Sequence, residues 1–351
     1  MREGDEHRGG GGFRIRTPGR LLGNAPGLTA KASGRPVPLA FGLLLLISFP
    51  FSFDAGAQTL TPAPSITINT QALFTSGTTA AYSGQISFNP VATLGASIAV
   101  NASGASLTSG SNTLPANLFT IQVTGTTGLN TSGQTFTPVT LSTTSQTMYS
   151  SGLALSLLGT VTFSLSYKLA GGVSLLVPAG TYTTSLTFTI TRLGPLGINL
   201  GTATVSTTLT VIVTNVQVLV IQNGGGTATL NYASPSNYTN GVSLTQSAAL
   251  NAFSNTVYSV YVNASQNLKN GINFIPIGNV TVTPNANPAA AGITTSAVPL
   301  SLSMQKVVAA TVPSLSQNFD LLYATPAAGS AFLGMPAGTY TTVLTYTITD
   351  P

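Results

Sequence analysis

The sequence predicts an all-β chain: two tandem antiparallel β-sandwich domains after a signal peptide. Three observations predict it. The stretch PAGTYTTSLTFTIT, Pro178 to Thr191, recurs as PAGTYTTVLTYTIT, Pro336 to Thr349, with twelve of fourteen positions identical and an offset of 158 residues (336 − 178). Past Gln58 the chain consists of short runs rich in Val, Ile, Thr, Tyr and Phe, broken by Gly, Asn, Ser and Pro. No window there carries the i, i+3, i+4, i+7 apolar spacing of an amphipathic helix. Ahead of Gln58 a basic stretch leads into one apolar run and then a small-residue cleavage site.

The leader and signal peptide occupy residues 1–57. Arg2, Arg8, Arg14, Arg16, Arg20, Lys31 and Arg35 precede the apolar run Leu39 to Phe53, and Ala55-Gly56-Ala57 offers the small side chains that signal peptidase takes at −3 and −1. The run is shorter than the roughly 20 residues that cross a bilayer, and Pro50 interrupts it. Cleavage after Ala57 leaves a chain starting at Gln58, and residues 1–36 carry no fold signal. The net charge of +5 therefore belongs mostly to the leader. Beyond it stand Lys168, Arg192, Lys269 and Lys306 against Asp320 and Asp350, with no basic stripe to follow a phosphate backbone. With no cysteine in an exported chain, stability has to come from sheet packing.

The first sandwich is expected over residues 58–203. On the strand of the repeated motif Tyr182, Thr184, Leu186, Phe188 and Ile190 point to one side and Thr183, Ser185, Thr187, Thr189 and Thr191 to the other, so one face is core and one is hydroxyl. The leading Pro-Ala-Gly is turn chemistry, because Pro fixes φ and Gly tolerates positive φ. The boundary is placed in RLGPLGINLGTA, Arg192 to Ala203, with the second sandwich over 204–351. TLTVIVTNVQVLVIQN then opens the second half as SITINTQALF opens the first. In NVQVLVIQN, Val216, Val218 and Val220 alternate with Leu219 and Ile221, the pattern of a strand covered on both faces. Further landmarks recur in order: SIAVNAS with SVYVNAS, TLPANLFTIQV with FIPIGNVTV, and Phe163 and Tyr167 of FSLSY with Phe319 and Tyr323 of FDLLY. A period near 160 residues is too long for a solenoid and fits tandem sandwiches.

The residues that carry most enzyme chemistry are missing. The one histidine, His7, lies in the leader, and beyond residue 57 there is no Cys, no Glu, and only Asp320 and Asp350. No paired carboxylates, Ser-His-Asp triad or transition-metal ligand set can be written from that inventory, so the expectation is a non-enzyme with no catalytic residue, metal or cofactor. Asp320 has two readings, a ligand contact peculiar to the second half or an outward residue between inward Phe319 and Leu321; the second is favoured. Tyr232 and Tyr238, in the loop-like NYASPSNYTNG and grouped in sequence with Tyr258 and Tyr261, read either as a sugar-stacking platform or as ordinary packing, again with the second favoured. The Asn-x-Ser/Thr triplets at Asn101, Asn130, Asn237, Asn263 and Asn279 are expected by chance in a chain this rich in Asn, Ser and Thr.

A closing PAGTYTTxLTxTIT strand, an FxxxY strand before it and a VNAS strand upstream resemble spore-coat-protein-U-like domains, the Ig-like units of archaic chaperone-usher pili and their tip adhesins, although the cysteine pair frequent in such domains is absent. The resemblance implies Ig-like sandwiches, transit through the periplasm to the cell surface, and other surface or pilus subunits and a periplasmic chaperone as partners. It also implies assembly by strand complementation, in which an incomplete sandwich accepts an alternating apolar strand from a neighbour. Ile66 and Ile68 of SITINTQALF mark the candidate donor strand; a tip subunit would instead keep that strand in its own sandwich. The alternative is a stand-alone carbohydrate-binding surface module, with a glycan or host-surface ligand at Tyr232 and Tyr238.

Overall fold

The computed structural model describes residues 58–88, 95–128, 134–151, 160–193, 198–328 and 330–351. The expected leader and signal peptide, 1–57, lie outside the described residues. The first half contains β1 (Thr59–Leu60), β2 (Ser65–Ile68), helix α1 (Gln71–Ser76), β3 (Gly77–Phe88), β4 (Gly95–Ala102), β5 (Ser106–Ser109), β6 (Asn112–Pro115), β7 (Phe119–Thr127), β8 (Gln134–Phe136), β9 (Val139–Thr140), β10 (Gln146–Ser151), β11 (Val161–Ala170), β12 (Gly180–Leu193) and β13 (Asn199–Val213). One sheet runs β1-β3-β11-β7-β9 and the other β2-β13-β12-β4-β10-β8. Between them lies a core to which Ile86, Phe163 and Leu165 come from the first sheet and Ile98, Leu186 and Leu209 from the second. The pairing of β2 on β13 is parallel; the other pairings of these sheets are antiparallel.

The second half repeats this plan with β14 (Gln217–Ile221), α2 (Pro235–Asn240), β15 (Ser243–Ser254), β16 (Tyr258–Ala264), β17 (Leu268–Asn270), β18 (Asn273–Ile275), β19 (Thr281–Asn287), β20 (Ile293–Thr295), β21 (Val298–Pro299), β22 (Gln305–Ala310), β23 (Ser314–Ala324) and β24 (Leu344–Thr349). The order β14-β15-β23-β19-β21 matches the first sheet of the first half, and β20-β22-β16-β24 matches β8-β10-β4-β12. The sequence landmarks fall on matching strands: SIAVNAS on β4 and SVYVNAS on β16, FSLSY on β11 and FDLLY on β23. A second core, with Leu250, Val260, Val262, Val282, Phe319 and Leu321, fills this sandwich. Burial along β12 alternates with the inward set Tyr182, Thr184, Leu186, Phe188 and Ile190. Each copy of the motif closes its own turn, Tyr182 donating its hydroxyl proton to the Pro178 carbonyl (2.7 Å) and Tyr340 to that of Pro336 (3.0 Å).

Two local readings of the sequence are corrected. β13 does not open the second sandwich: it pairs with β12 from Leu193↔Asn199 to Gly180↔Val213, and its Leu209, Val211 and Val213 are buried in the first core. The first set of sheets thus runs past Ala203 to Val213. NVQVLVIQN is not covered on both faces along its length. Among the described residues β14 is an edge strand paired only to β15; Val216 and Val218 pack on the first core, Leu219 packs on the second, and Val220 and Ile221 are exposed. Its apolar residues alternate because the strand straddles the joint between two cores.

That joint is closely built. Phe253, at the end of β15, is fully buried in the first core, its ring 5.5 Å from that of Phe74 on α1. The buried Asn255 side-chain amide donates to the carbonyls of Val177 (3.0 Å) and Thr214 (3.1 Å), and its oxygen accepts from the Val216 N–H at 2.7 Å. The Asp350 carboxylate accepts from Gln217 Nε2 (2.7 Å) and Asn215 Nδ2 (3.0 Å), tying the end of β24 to the connecting segment. A buried amide with both its donors and its oxygen engaged by the two halves fixes the orientation of both partners.

Candidate functional site

The two sandwiches differ in one respect that bears on function. In the first, β12 lies between β4 and β13, and β2 lies beyond β13. In the second, β24 has β16 on one side, and among the described residues no strand pairs its other edge. The Val343 carbonyl accepts from the Ser265 N–H (2.9 Å), so by the alternation of an antiparallel ladder Thr345, Thr347 and Thr349 address β16. The backbone N–H and C=O groups of Leu344, Tyr346 and Ile348 therefore face the open edge. The side chains of the same three residues line the core side of the sheet and are only partly buried, whereas their counterparts Leu186, Phe188 and Ile190 are fully buried. One groove thus offers both hydrogen-bonding groups and apolar surface.

The missing neighbour also explains why the shared motif folds differently in its two copies. In the first, strand begins at Gly180; in the second, it begins only at Leu344, after a single bridge from Thr341 to Lys269. β13 holds the early residues of the first copy in the sheet, pairing with Gly180, Thr181 and Tyr182. Extended backbone persists where both edges are bonded, and the unpaired stretch relaxes. The exposed edge carries no Lys, Pro or inward charge that would blunt it against another strand.

One of the two differences within the motif, Phe188 against Tyr346, has a packing cause. Tyr167 in the first sandwich donates to Gln85 Oε1 at 2.9 Å. The pairings Phe163↔Ile86 and Phe319↔Leu250 align Gln85 with Ala249, which has no polar side chain. Tyr323, the counterpart of Tyr167, bonds instead to the Tyr346 hydroxyl at 2.9 Å. Burial raises the pKa of both Tyr323 and Tyr346 above the ordinary phenol value, so the pair is neutral at physiological pH.

The site residues read from sequence do not converge. Ile66 and Ile68 are 4% and 0% exposed, paired in parallel with Val211 and Val213, so the candidate donor strand fills its own sandwich. Asp320 accepts from the Ala248 N–H (2.7 Å) and from Asn287 Nδ2 (2.9 Å). Ala248 sits at φ 47 in a bulge of β15, and at the matching bulge of β3 Gly84, φ 58, donates its N–H to Ser164 Oγ at 3.0 Å. Asp320 and Ser164 thus serve the same backbone donor. Tyr232 and Tyr238 do come together, their ring centroids 4.9 Å apart, with Phe332 stacked 4.8 Å from Tyr232. The Tyr232 hydroxyl lies 2.6 Å from Thr325 Oγ1. They line a shallow cleft with Pro235 and the exposed Leu333. Tyr258 and Tyr261 are elsewhere, the first buried in the core and the second beside Lys306, whose Nζ is 5.7 Å from its ring centre. The open edge itself was not among the residues singled out from sequence.

No known family profile matches the chain, and no curated protein matches it. Among solved structures the chain is similar to the chaperone–tip adhesion subunit pre-assembly complex CsuC–CsuE of archaic chaperone-usher Csu pili of Acinetobacter baumannii, at 14% identity, over 83% of this chain and 99% of that one, with a TM-score of 0.40. It is similar to the CupB6 tip adhesin of Pseudomonas aeruginosa at 10% identity, over 85% and 94% of the two chains, TM-score 0.33. It is also similar to the CooA pilin subunit of enterotoxigenic Escherichia coli at 15% identity, over 46% and 99%, TM-score 0.28.

Proposed function

We propose that this protein is a secreted surface protein of fimbrial or coat type, structural or adhesive, whose second sandwich accepts a β-strand from a partner. The observation that carries the reading is the unpaired edge of β24 beside the half-covered Leu344, Tyr346 and Ile348, set against the fully paired β12 in the same chain. Strand addition to such an edge supplies main-chain hydrogen bonds for affinity and alternate side-chain pockets for specificity. β13 defines the incoming strand: antiparallel to its acceptor, with Val205, Leu209, Val211 and Val213 inward and Thr204, Ser206, Thr208 and Thr210 outward. Ile66 and Ile68 already serve the first sandwich, so the chain accepts a strand while its own first strand stays occupied. The partners are other surface or pilus subunits, and a periplasmic chaperone that shields the edge in transit; no catalysis is involved.

The test is completion in cis. Repeating residues 192–213 directly after Thr349 gives β24 the same sequence that follows the motif in the first half. The expected result is a higher melting temperature for the second sandwich and loss of binding of a synthetic peptide of residues 202–213. An unchanged melting temperature, with the appended segment open to protease, would mean that the second sandwich has no strand-sized vacancy.

A further inference from the structure

The joint between the two sandwiches is a covalently linked copy of the contact proposed for the fibre. β13 fills the first sandwich and is connected to β14 by only Thr214, Asn215 and Val216. The body that follows is seated on the end of the first sandwich: Phe253 packs on Phe74, and Asn255 donates to the Val177 carbonyl. Strand and body therefore bind together, the strand along the edge and the body across the end to which the strand runs.

The same end of the second sandwich is open. Tyr238-Thr239-Asn240-Gly241 stands where Phe74-Thr75-Ser76-Gly77 stands in the first, and both glycines have φ 75. A glycine is required there, because a Cβ would meet backbone atoms, Leu169 O in one case and Thr325 O in the other. Phe332 closes a short 3-10 turn as Leu175 does, and Met335 precedes its proline as Val177 precedes Pro178. Where the first sandwich buries Phe74 under Phe253, the second leaves Tyr238 partly exposed and Leu333 58% exposed around the cleft.

We infer that this cleft is the docking site for the body of the subunit whose strand enters the β24 edge. The inference rests on the strand-acceptor reading above. The occupant is a β-sandwich domain presenting an apolar knob from a loop between two of its strands, seated as the second sandwich is seated on the first, with a connection of about three residues from strand to body. Successive domains are then stacked in fixed orientation, because the short connection leaves no freedom once both contacts form.

Site-specific photo-cross-linking in the producing cells tests it, with p-benzoylphenylalanine placed at Leu333 for the cleft or at Val343, 66% exposed beside the open edge. The expected result is that Val343 cross-links to an N-terminal strand, and Leu333 to an inter-strand loop in the body of the same subunit. Val343 captured by a strand while Leu333 captures nothing, a glycan or only a second copy of this chain would overturn the docking site and leave the strand-acceptor reading standing. No protein captured at either position would remove both.

Discussion

The repeated motif allows one substitution to be made twice in one molecule, with different expected costs. Ile190→Ala deletes three carbons from a fully buried side chain bonded into a strand with neighbours on both edges. At about 0.8 kcal/mol per buried carbon the transfer cost is about 2.4 kcal/mol, and the cavity left behind raises it into the range of about 2–5 kcal/mol. Ile348→Ala removes the same atoms from the same place in β24, but that side chain is only partly covered and no β13-like strand closes its pocket. Part of the transfer is never made and no closed cavity forms, so about 1 kcal/mol is expected. Urea denaturation of the chain beginning at Gln58, followed by a probe in each sandwich, reads both. Adding a synthetic peptide of residues 202–213 should raise the cost at Ile348 towards that at Ile190 and leave Ile190 unchanged. Equal costs at the two positions without peptide would refute the reasoning, because the second sandwich would then be as closed as the first.

Three other substitutions probe separate contacts. Tyr346→Phe restores the residue of the first copy but strands the Tyr323 hydroxyl, and should cost about 1–3 kcal/mol in thermal or urea unfolding, recovered in part by adding Tyr323→Phe. Asp320→Ala leaves the bulge N–H of Ala248 without its acceptor and should cost about 1–3 kcal/mol, whereas Asp320→Ser, copying Ser164, should cost less than about 1 kcal/mol. Tyr258 is buried with no partner for its hydroxyl, and burial pushes its pKa up to about 12. Its contribution is whole below the unfolded value of about 10 and is lost as the pH rises through about 12, since the unfolded chain releases the proton first. Tyr258→Phe should flatten that alkaline loss in a pH series of melting temperatures without lowering stability at neutral pH.

Much of the fold was legible because it is written locally. The inward series Tyr182, Leu186, Phe188 and Ile190 follows from period-two alternation, and the landmarks around Val100, Phe163 and Tyr167 recur in order in the second half. What stayed hidden depends on partner choice. TLTVIV alternates correctly for either sandwich, and only its long pairing with β12 decides that it closes the first. NVQVLVIQN looks covered on both faces because Val216 and Val218 serve one core and Leu219 the other, while Val220 and Ile221, which continue the alternation, are exposed. The open edge is legible in neither copy of the motif, since Leu186–Thr191 lies between two strands and the nearly identical Leu344–Thr349, among the described residues, beside one. Asp320 and Tyr346 looked like departures from a repeat and are replacements for hydrogen-bond partners that the other half supplies with Ser164 and Gln85.

Amide hydrogen exchange along β24 measures the open edge most directly. In the chain beginning at Gln58, the N–H groups of Leu344, Tyr346 and Ile348 should exchange much faster than those of Thr345 and Thr347, which address β16, and faster than those of Leu186, Phe188 and Ile190 in the first copy. The peptide of residues 202–213 should slow those three amides selectively. Strong protection of Leu344, Tyr346 and Ile348 in the free chain, unaltered by the peptide, would contradict a strand-accepting second sandwich.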